Sequence, residues 1–103
     1  MEKMEFLVEI EINLPPDCPE DERLRLLAAE TVRARVLRKA GVIHRLWRIP
    51  GRTANVGIWV APDATALHEQ LTSLPLWGWM DVHVRPLALH PLESDEAVRG
   101  ATG

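Results

Sequence analysis

Apolar and polar residues alternate in four stretches of the chain, and this period of two predicts β-strands. Two longer stretches place leucine and alanine at helical spacing and predict amphipathic helices. Prolines and glycines separate the six stretches and mark the connections between them. In chain order these are strand 4–13, helix 19–40, strand 42–49, strand 54–60, helix 63–74 and strand 80–85.

The ends of both predicted helices carry recognisable signals. Pro19 suits an early helical position, and the acidic residues after it suit the positive end of the helix dipole. Gly41 supplies a left-handed stop for the first helix. Asp63 can cap the second helix, and Pro75 ends it.

The order β-α-β-β-α-β is that of the ferredoxin-like arrangement. It predicts an α+β fold in which two helices cover one face of a four-stranded antiparallel sheet. We expect one domain over residues 1–91 and a disordered tail over residues 92–103. The other face of the sheet, expected to carry Leu7, Trp47 and Trp59, is too apolar to stay in water. A second copy that pairs sheet to sheet, in a homodimer or larger homo-oligomer, is the simplest cover.

Glu30 is a carboxylate in the apolar stripe of the first predicted helix. At about 100° per residue, Leu26, Ala34 and Leu37 lie within about 40° of it around the axis. Burial would raise the pKa of Glu30 toward neutrality and let it take up and return a proton at physiological pH. The alternative is a structural residue that extends to solvent or pairs with Arg33.

The segment at residues 44–55, HRLWRIPGRTAN, contains the second group of interest. Along a strand, His44, Leu46 and Arg48 share one face. If that face meets the helices, Arg48 enters the same interior as Glu30. There it either neutralises the glutamate or binds an anionic ligand; a surface arginine is the remaining alternative.

Composition excludes several classes of function. With 12 basic and 15 acidic residues the net charge is −3, which argues against a general nucleic-acid binder. A single cysteine cannot form an internal disulfide, and neither a membrane span nor a secretory signal is recognisable, so we expect a cytoplasmic protein. The histidine spacings predict no metal site, and no phosphate-binding glycine motif occurs.

Several segments together resemble the muconolactone Δ-isomerase family. The resemblance runs from about Met4 to Pro91, nearly the whole expected domain. The combination of LWR-x-x-G-x-x-AN, LH…LPL and a closing HP is fairly specific, although each piece alone is weak. The segments are FLVEIEINLP, AAET, LWRIPGRTAN, ALHEQLTSLPL, MDVHV and the HP dipeptide at 90–91.

The resemblance implies an enzyme of the β-ketoadipate route of aromatic catabolism that shifts the ring double bond of a small lactone without metal or organic cofactor. It also implies a ferredoxin-like subunit that pairs through its sheet and assembles into a larger homo-oligomer. The family's proton-carrying glutamate falls on Glu30. Its substrate-binding positions fall on Trp47, Arg48, Asn55 and His68.

Some positions depart from the family pattern. Thr53 stands where a tyrosine usually precedes the AN dipeptide, and Arg45 stands where a histidine usually precedes LWR. In the loop after the second helix, Trp77, Gly78 and Trp79 replace an aromatic residue, a proline and a tyrosine. These changes concern the walls of the pocket and its polar contacts rather than the proton carrier.

Three functions are therefore weighed. The first is muconolactone isomerisation with Glu30 as the proton carrier. The second is a related isomerase, dehalogenase or cyclase that acts on a substituted lactone or a polyketide-like intermediate. The third is a non-catalytic oligomeric binding protein, which predicts that Glu30 points to solvent or is locked in a salt bridge, with no cavity between helix and sheet.

Overall fold

The structure, a computed structural model, describes residues 3–93. Short 3₁₀ turns precede the last strand, at Trp77–Trp79, and follow it, at Pro91–Glu93. Of the predicted tail, residues 94–103 lie outside the described part of the chain. The main elements are β1 (Met4–Ile12), α1 (Glu20–Lys39), β2 (Ile43–Arg48), β3 (Ala54–Ala61), α2 (Ala64–Thr72) and β4 (Met80–Leu87).

The four strands form one sheet in the order β2-β3-β1-β4, and each neighbouring pair is antiparallel. The predicted ferredoxin-like topology is confirmed. Phe6, Val8 and Ile10 of β1 share one buried cluster with Leu37 of α1 and Leu67 of α2. Both helices therefore cover the same face of the sheet. Among the residues described, neither helix is long and apolar enough to cross a membrane.

The helix ends lie close to the predicted signals, although Pro19 stands just before the helix rather than inside it. Pro19 occupies the N-cap position of α1, and Gly41, just beyond its end, has a φ of 83°. That left-handed conformation costs glycine little because it has no Cβ. At the start of α2, the Asp63 side chain accepts a hydrogen bond from the Ala66 N–H at 2.8 Å.

The expectation for Trp59 is wrong. It lies on the helix side of the sheet, where it is 1% exposed, and not on the open face. In the register of the sheet Trp59 stands opposite Phe6, whereas Leu7 stands opposite Ile58. Both faces of β3 are apolar, so alternation alone does not show which face is buried. The large ring of Trp59 lies on the buried face.

The last strand extends beyond its predicted range of 80–85. β4 continues through Pro86, which pairs with Phe6, to Leu87, which pairs with Glu5. β4 lies at the edge of the sheet and needs ladder hydrogen bonds on one side only. An edge strand tolerates a residue without an N–H where that position faces away from its neighbour.

The register of β2 shifts between Ile43 and Arg45, where His44 has no partner on β3. Beyond this bulge, Leu46 pairs with Gly57, which itself pairs with Val8 on the helix side of β1. A bulge re-aims the residues that follow it. Here it places Leu46, and Arg48 two residues later, toward the helices.

Gly57 permits the close approach of β2 at this bulge. A Cβ at position 57 would overlap the Arg45 carbonyl oxygen and would lie 2.9 Å from Leu46 Cδ1. Because a backbone carbonyl in a paired strand cannot move aside easily, we expect G57A to lower the free energy of unfolding by about 1–3 kcal/mol. Urea denaturation monitored by circular dichroism measures the change.

G78A is the matched control, because a Cβ at Gly78 meets nothing within 4 Å. It should stay within about 0.5 kcal/mol of the parent, as surface substitutions usually do. Equal stability of the two variants would contradict the role assigned to Gly57.

Candidate active site

A cavity of about 620 Å³ lies between α1 and the helix-facing side of the sheet. Its floor comes from β1, β2 and β3, and one wall comes from α1. Most of the lining is aliphatic or aromatic. The polar lining residues are Arg23, Glu30, Thr31, Arg35, Arg38, Arg48, Thr53 and Asn55.

Glu30 is half-buried and lines this cavity. Its Oε1 accepts a hydrogen bond from the backbone N–H of Leu76 at 3.1 Å. Burial removes water from the carboxylate and raises its pKa above the ordinary value of 4.5, and the Leu76 hydrogen bond opposes that rise to a smaller degree. The result is a carboxyl group held in one place and less acidic than an exposed one.

The salt-bridge alternatives for Glu30 do not occur. Arg33 instead turns toward α2, where its Nε donates to Ser73 Oγ at 3.1 Å and its Nη2 to Gln70 Oε1 at 3.3 Å. Across residues 3–93, the ion pairs join other residues, Arg52 to Glu11 and His83 to Asp81, and none includes Glu30 or Arg48. The carboxyl group thus faces the cavity without a neutralising cation.

Arg48 and Asn55 form a cross-strand pair on β2 and β3, and Asn55 also stands opposite Ile10. Both side chains line the cavity. Asn55 Oδ1 is buried and has no hydrogen-bond partner among the described residues. Buried amide oxygens are nearly always paired, so an unpaired one in a cavity wall can accept a hydrogen bond from an N–H or O–H group of a ligand.

Trp47 and His68 lie away from Glu30, Arg48 and Asn55. Trp47 is 46% exposed on the open face of the sheet, where the Arg45 guanidinium stacks 4.9 Å from its ring centroid. His68 is exposed on α2, and its ring meets Trp77 edge to face at 5.9 Å. Of the residues that departed from the family pattern, Thr53 lines the cavity, whereas Trp77 and Trp79 do not.

Two features of the site were missed from the sequence. The Leu76 N–H is a backbone donor, and no side-chain pattern marks it. Arg23, Arg35 and Arg38 line the α1 wall together with Glu30. A helical projection contains a signal for two of them, because Arg23 and Arg38 lie about 20° and 80° from Glu30 around the axis.

The fold and the cavity define a small ferredoxin-like α+β protein with an apolar, arginine-rimmed site that suits a small anionic molecule. The chain matches the muconolactone delta-isomerase family over residues 4–93. It therefore belongs to the muconolactone Δ-isomerase family. The prediction of an isomerase is confirmed at this level.

Individual relatives agree with this assignment. The chain is 40% identical to muconolactone Delta-isomerase 2 of Acinetobacter lwoffii over 87 residues, which cover 84% of this chain and 91% of the relative. It is 39% identical to muconolactone Delta-isomerase of Pseudomonas aeruginosa over 88 residues, covering 85% and 92%. A crystal structure of muconolactone isomerase superposes with a TM-score of 0.82 at 37% identity, covering 89% of this chain and 95% of that one.

The raised pKa of Glu30 predicts a pH dependence of stability. Below the ordinary value of 4.5 the group is protonated whether the chain is folded or unfolded. As the pH rises toward the folded-state pKa, the unfolded chain ionises first, so folding loses stability across that interval. E30Q cannot ionise, and its Oε1 still accepts from Leu76.

We therefore expect the free energy of unfolding of E30Q, minus that of the parent, to be larger at pH 8 than at pH 4, so that E30Q is relatively more stable at the higher pH. Urea denaturation at both pH values and one protein concentration measures this difference. A relative stability of E30Q that falls with rising pH would show that Glu30 is stabilised as an anion, against the assignment made here.

Proposed function

We propose that this chain isomerises muconolactone or a close unsaturated lactone, with Glu30 as the proton carrier. The observation that carries the proposal is the half-buried Glu30 carboxyl group, which faces an apolar cavity and has a raised pKa. Relatives that cover most of the chain are named for this activity. The family name supports the substrate class, and the geometry supports the residue.

The reaction needs one group that accepts a proton and then returns it. Glu30, as the carboxylate, takes a proton from a ring carbon at one end of the conjugated unit. It returns that proton two carbons away, so the double bond moves and no atom is gained or lost. A base with a pKa near the working pH serves both steps. The aliphatic lining limits exchange of the carried proton with water.

Arg48 and Asn55 supply the polar contacts in this proposal. The Arg48 guanidinium binds the substrate carboxylate, for which a planar fork of donors is well suited. The Asn55 Nδ2–H donates a hydrogen bond to the lactone carbonyl oxygen, where negative charge develops when the proton leaves. Trp47 and His68 lie outside the cavity, and within one chain they are assigned no contact with the substrate.

The non-catalytic alternative predicted a solvent-facing or salt-bridged Glu30 and no cavity. The described structure has the cavity, and Glu30 faces it without a salt bridge. A substituted lactone remains the second candidate substrate class. Thr53 supports it, because a threonine lines the wall where the family pattern places a larger tyrosine.

Substitution of the proton carrier tests the mechanism. E30Q keeps the size of the side chain and the acceptor for Leu76, but it cannot take up a proton. We expect kcat to fall by about 10²-fold or more, since general acid–base catalysis contributes about 10²–10⁴-fold. The ultraviolet absorbance of muconolactone, followed over time, gives the rate.

E20Q is the matched control, because Glu20 is an exposed residue at the start of α1 and does not line the cavity. Its turnover should equal that of the parent. If E30Q retains turnover near the parent rate, Glu30 is not the proton carrier.

We also propose that a second copy of the chain covers the open face of the sheet. Leu7 and Ile58 stand opposite each other at the centre of this face, and Val56 stands opposite the exposed Trp47. An apolar patch of this kind on a sheet face is typical of an interface. A self-complementary sheet pairing would bury it in a homodimer, which can assemble further.

Sedimentation velocity tests the assembly. We expect the parent to sediment as a dimer or larger species, and I58D to sediment as a smaller one, because the pairing would bury an unpaired carboxylate. Circular dichroism shows whether I58D remains folded. A monomeric parent at micromolar concentration would contradict the proposal.

A further inference from the structure

The cavity is bordered by more positive charge than one carboxylate requires, and its four arginines are exposed residues. Arg48 lines it from the sheet, and Arg23, Arg35 and Arg38 line it from α1, whereas Glu30 is its one acidic lining residue. The chain as a whole carries a net charge of −3. The positive charge is therefore concentrated at this site against the balance of the molecule.

No other described residue forms an ion pair with these four arginines. The ion pairs within residues 3–93 involve Arg52 and His83 instead. They do not serve Glu30 either, because the pKa of Glu30 is raised by burial and lowered only by the Leu76 hydrogen bond. Guanidinium groups that gather at a cavity without a carboxylate partner are available to an anionic ligand.

Three of the four arginines occupy two separate parts of the wall; the fourth, Arg23, lies about 18 Å along the axis of α1 from Arg35. Arg48 lies at the end of β2, beside Asn55. Arg35 and Arg38 are three residues apart on α1, so they are neighbours on the helix surface. Since α1 rises about 1.5 Å per residue, Arg38 lies about 12 Å along the axis from Glu30. One anionic group can bind at each part.

From this arrangement we infer that the cavity binds a substrate with two carboxylates, one on Arg48 and the other on the Arg35–Arg38 pair. The inference rests on the proposed function for the reaction and deepens it: the preferred substrate is an unsaturated lactone that carries a second carboxylate beyond the one in muconolactone. Arg35 and Arg38 are then specificity-determining residues. The Asn55 side chain and the apolar floor hold the uncharged part of such a molecule.

Binding of two unreactive acids tests the inference separately from turnover. Adipate and hexanoate are saturated six-carbon chains that differ by one carboxylate, and neither has a double bond to move. By isothermal titration calorimetry at low salt, we expect the parent to bind adipate at least about 10-fold more tightly than hexanoate. Two charge-assisted contacts in place of one account for a difference of this size.

Two double variants locate the second contact. R35Q/R38Q should lose the preference for adipate and keep the affinity for hexanoate. R25Q/K39Q is the control: it removes the same charge from α1, including one from its last turn, but neither residue lines the cavity. It should keep the preference. R48Q should weaken the binding of both acids.

Two results would overturn the inference. One is equal affinity of the parent for adipate and hexanoate, which needs no variant to fold. The other is an equal loss of affinity for both acids in R35Q/R38Q, which would mean that these arginines attract anions without binding a particular carboxylate. A failure of E30Q to lose turnover would overturn the mechanism instead and leave the binding result intact.

Discussion

The hydrogen bond from the Leu76 N–H to Glu30 Oε1 joins the two halves of the fold at the site. Glu30 lies in the middle of α1, and Leu76 follows α2 in a loop whose own backbone bonds run from Trp77 N to Leu74 O and from Trp79 N to Leu76 O. One carboxyl oxygen is therefore held while the rest of the group faces the cavity. A backbone donor orients the carboxylate at a smaller cost in basicity than a salt bridge, because it adds no full positive charge.

The register of the sheet is the second constraint on the site. A one-residue slip would exchange the faces of a strand. The bulge in β2 and the glycine on the neighbouring strand let Arg48 lie on the helix side of the sheet, next to Asn55 of β3. Without the bulge, strict alternation from Ile43 would place Leu46 and Arg48 on the open face. The position of Arg48 thus depends on the absence of a Cβ at Gly57.

Much of the fold could be predicted from local patterns. The helix signals at Pro19, Gly41 and Asp63 and the period-two strands were sufficient for the topology, since each agrees with the global arrangement. The sequence could not show which face of β3 packs against the helices, because both of its sides are apolar and Trp59 is compatible with either. The extent of β4 depended on Pro86 lying at a sheet edge, which only the strand order reveals.

The site likewise contains residues that could be predicted from the sequence and contacts that could not. Glu30 stood out as a charge in an apolar stripe, and Arg48 and Asn55 belonged to a recognisable segment. The Leu76 donor and the clustering of the α1 arginines depend on tertiary packing.

That packing separates two electrostatic requirements that would conflict if the groups concerned were in contact. A base must avoid nearby cations to keep its raised pKa, whereas a substrate anion needs them. Here burial and one backbone donor set the basicity of Glu30, and the arginines stand at other parts of the same wall. The cavity can therefore be bordered by arginines and still contain a carboxyl group whose pKa is raised.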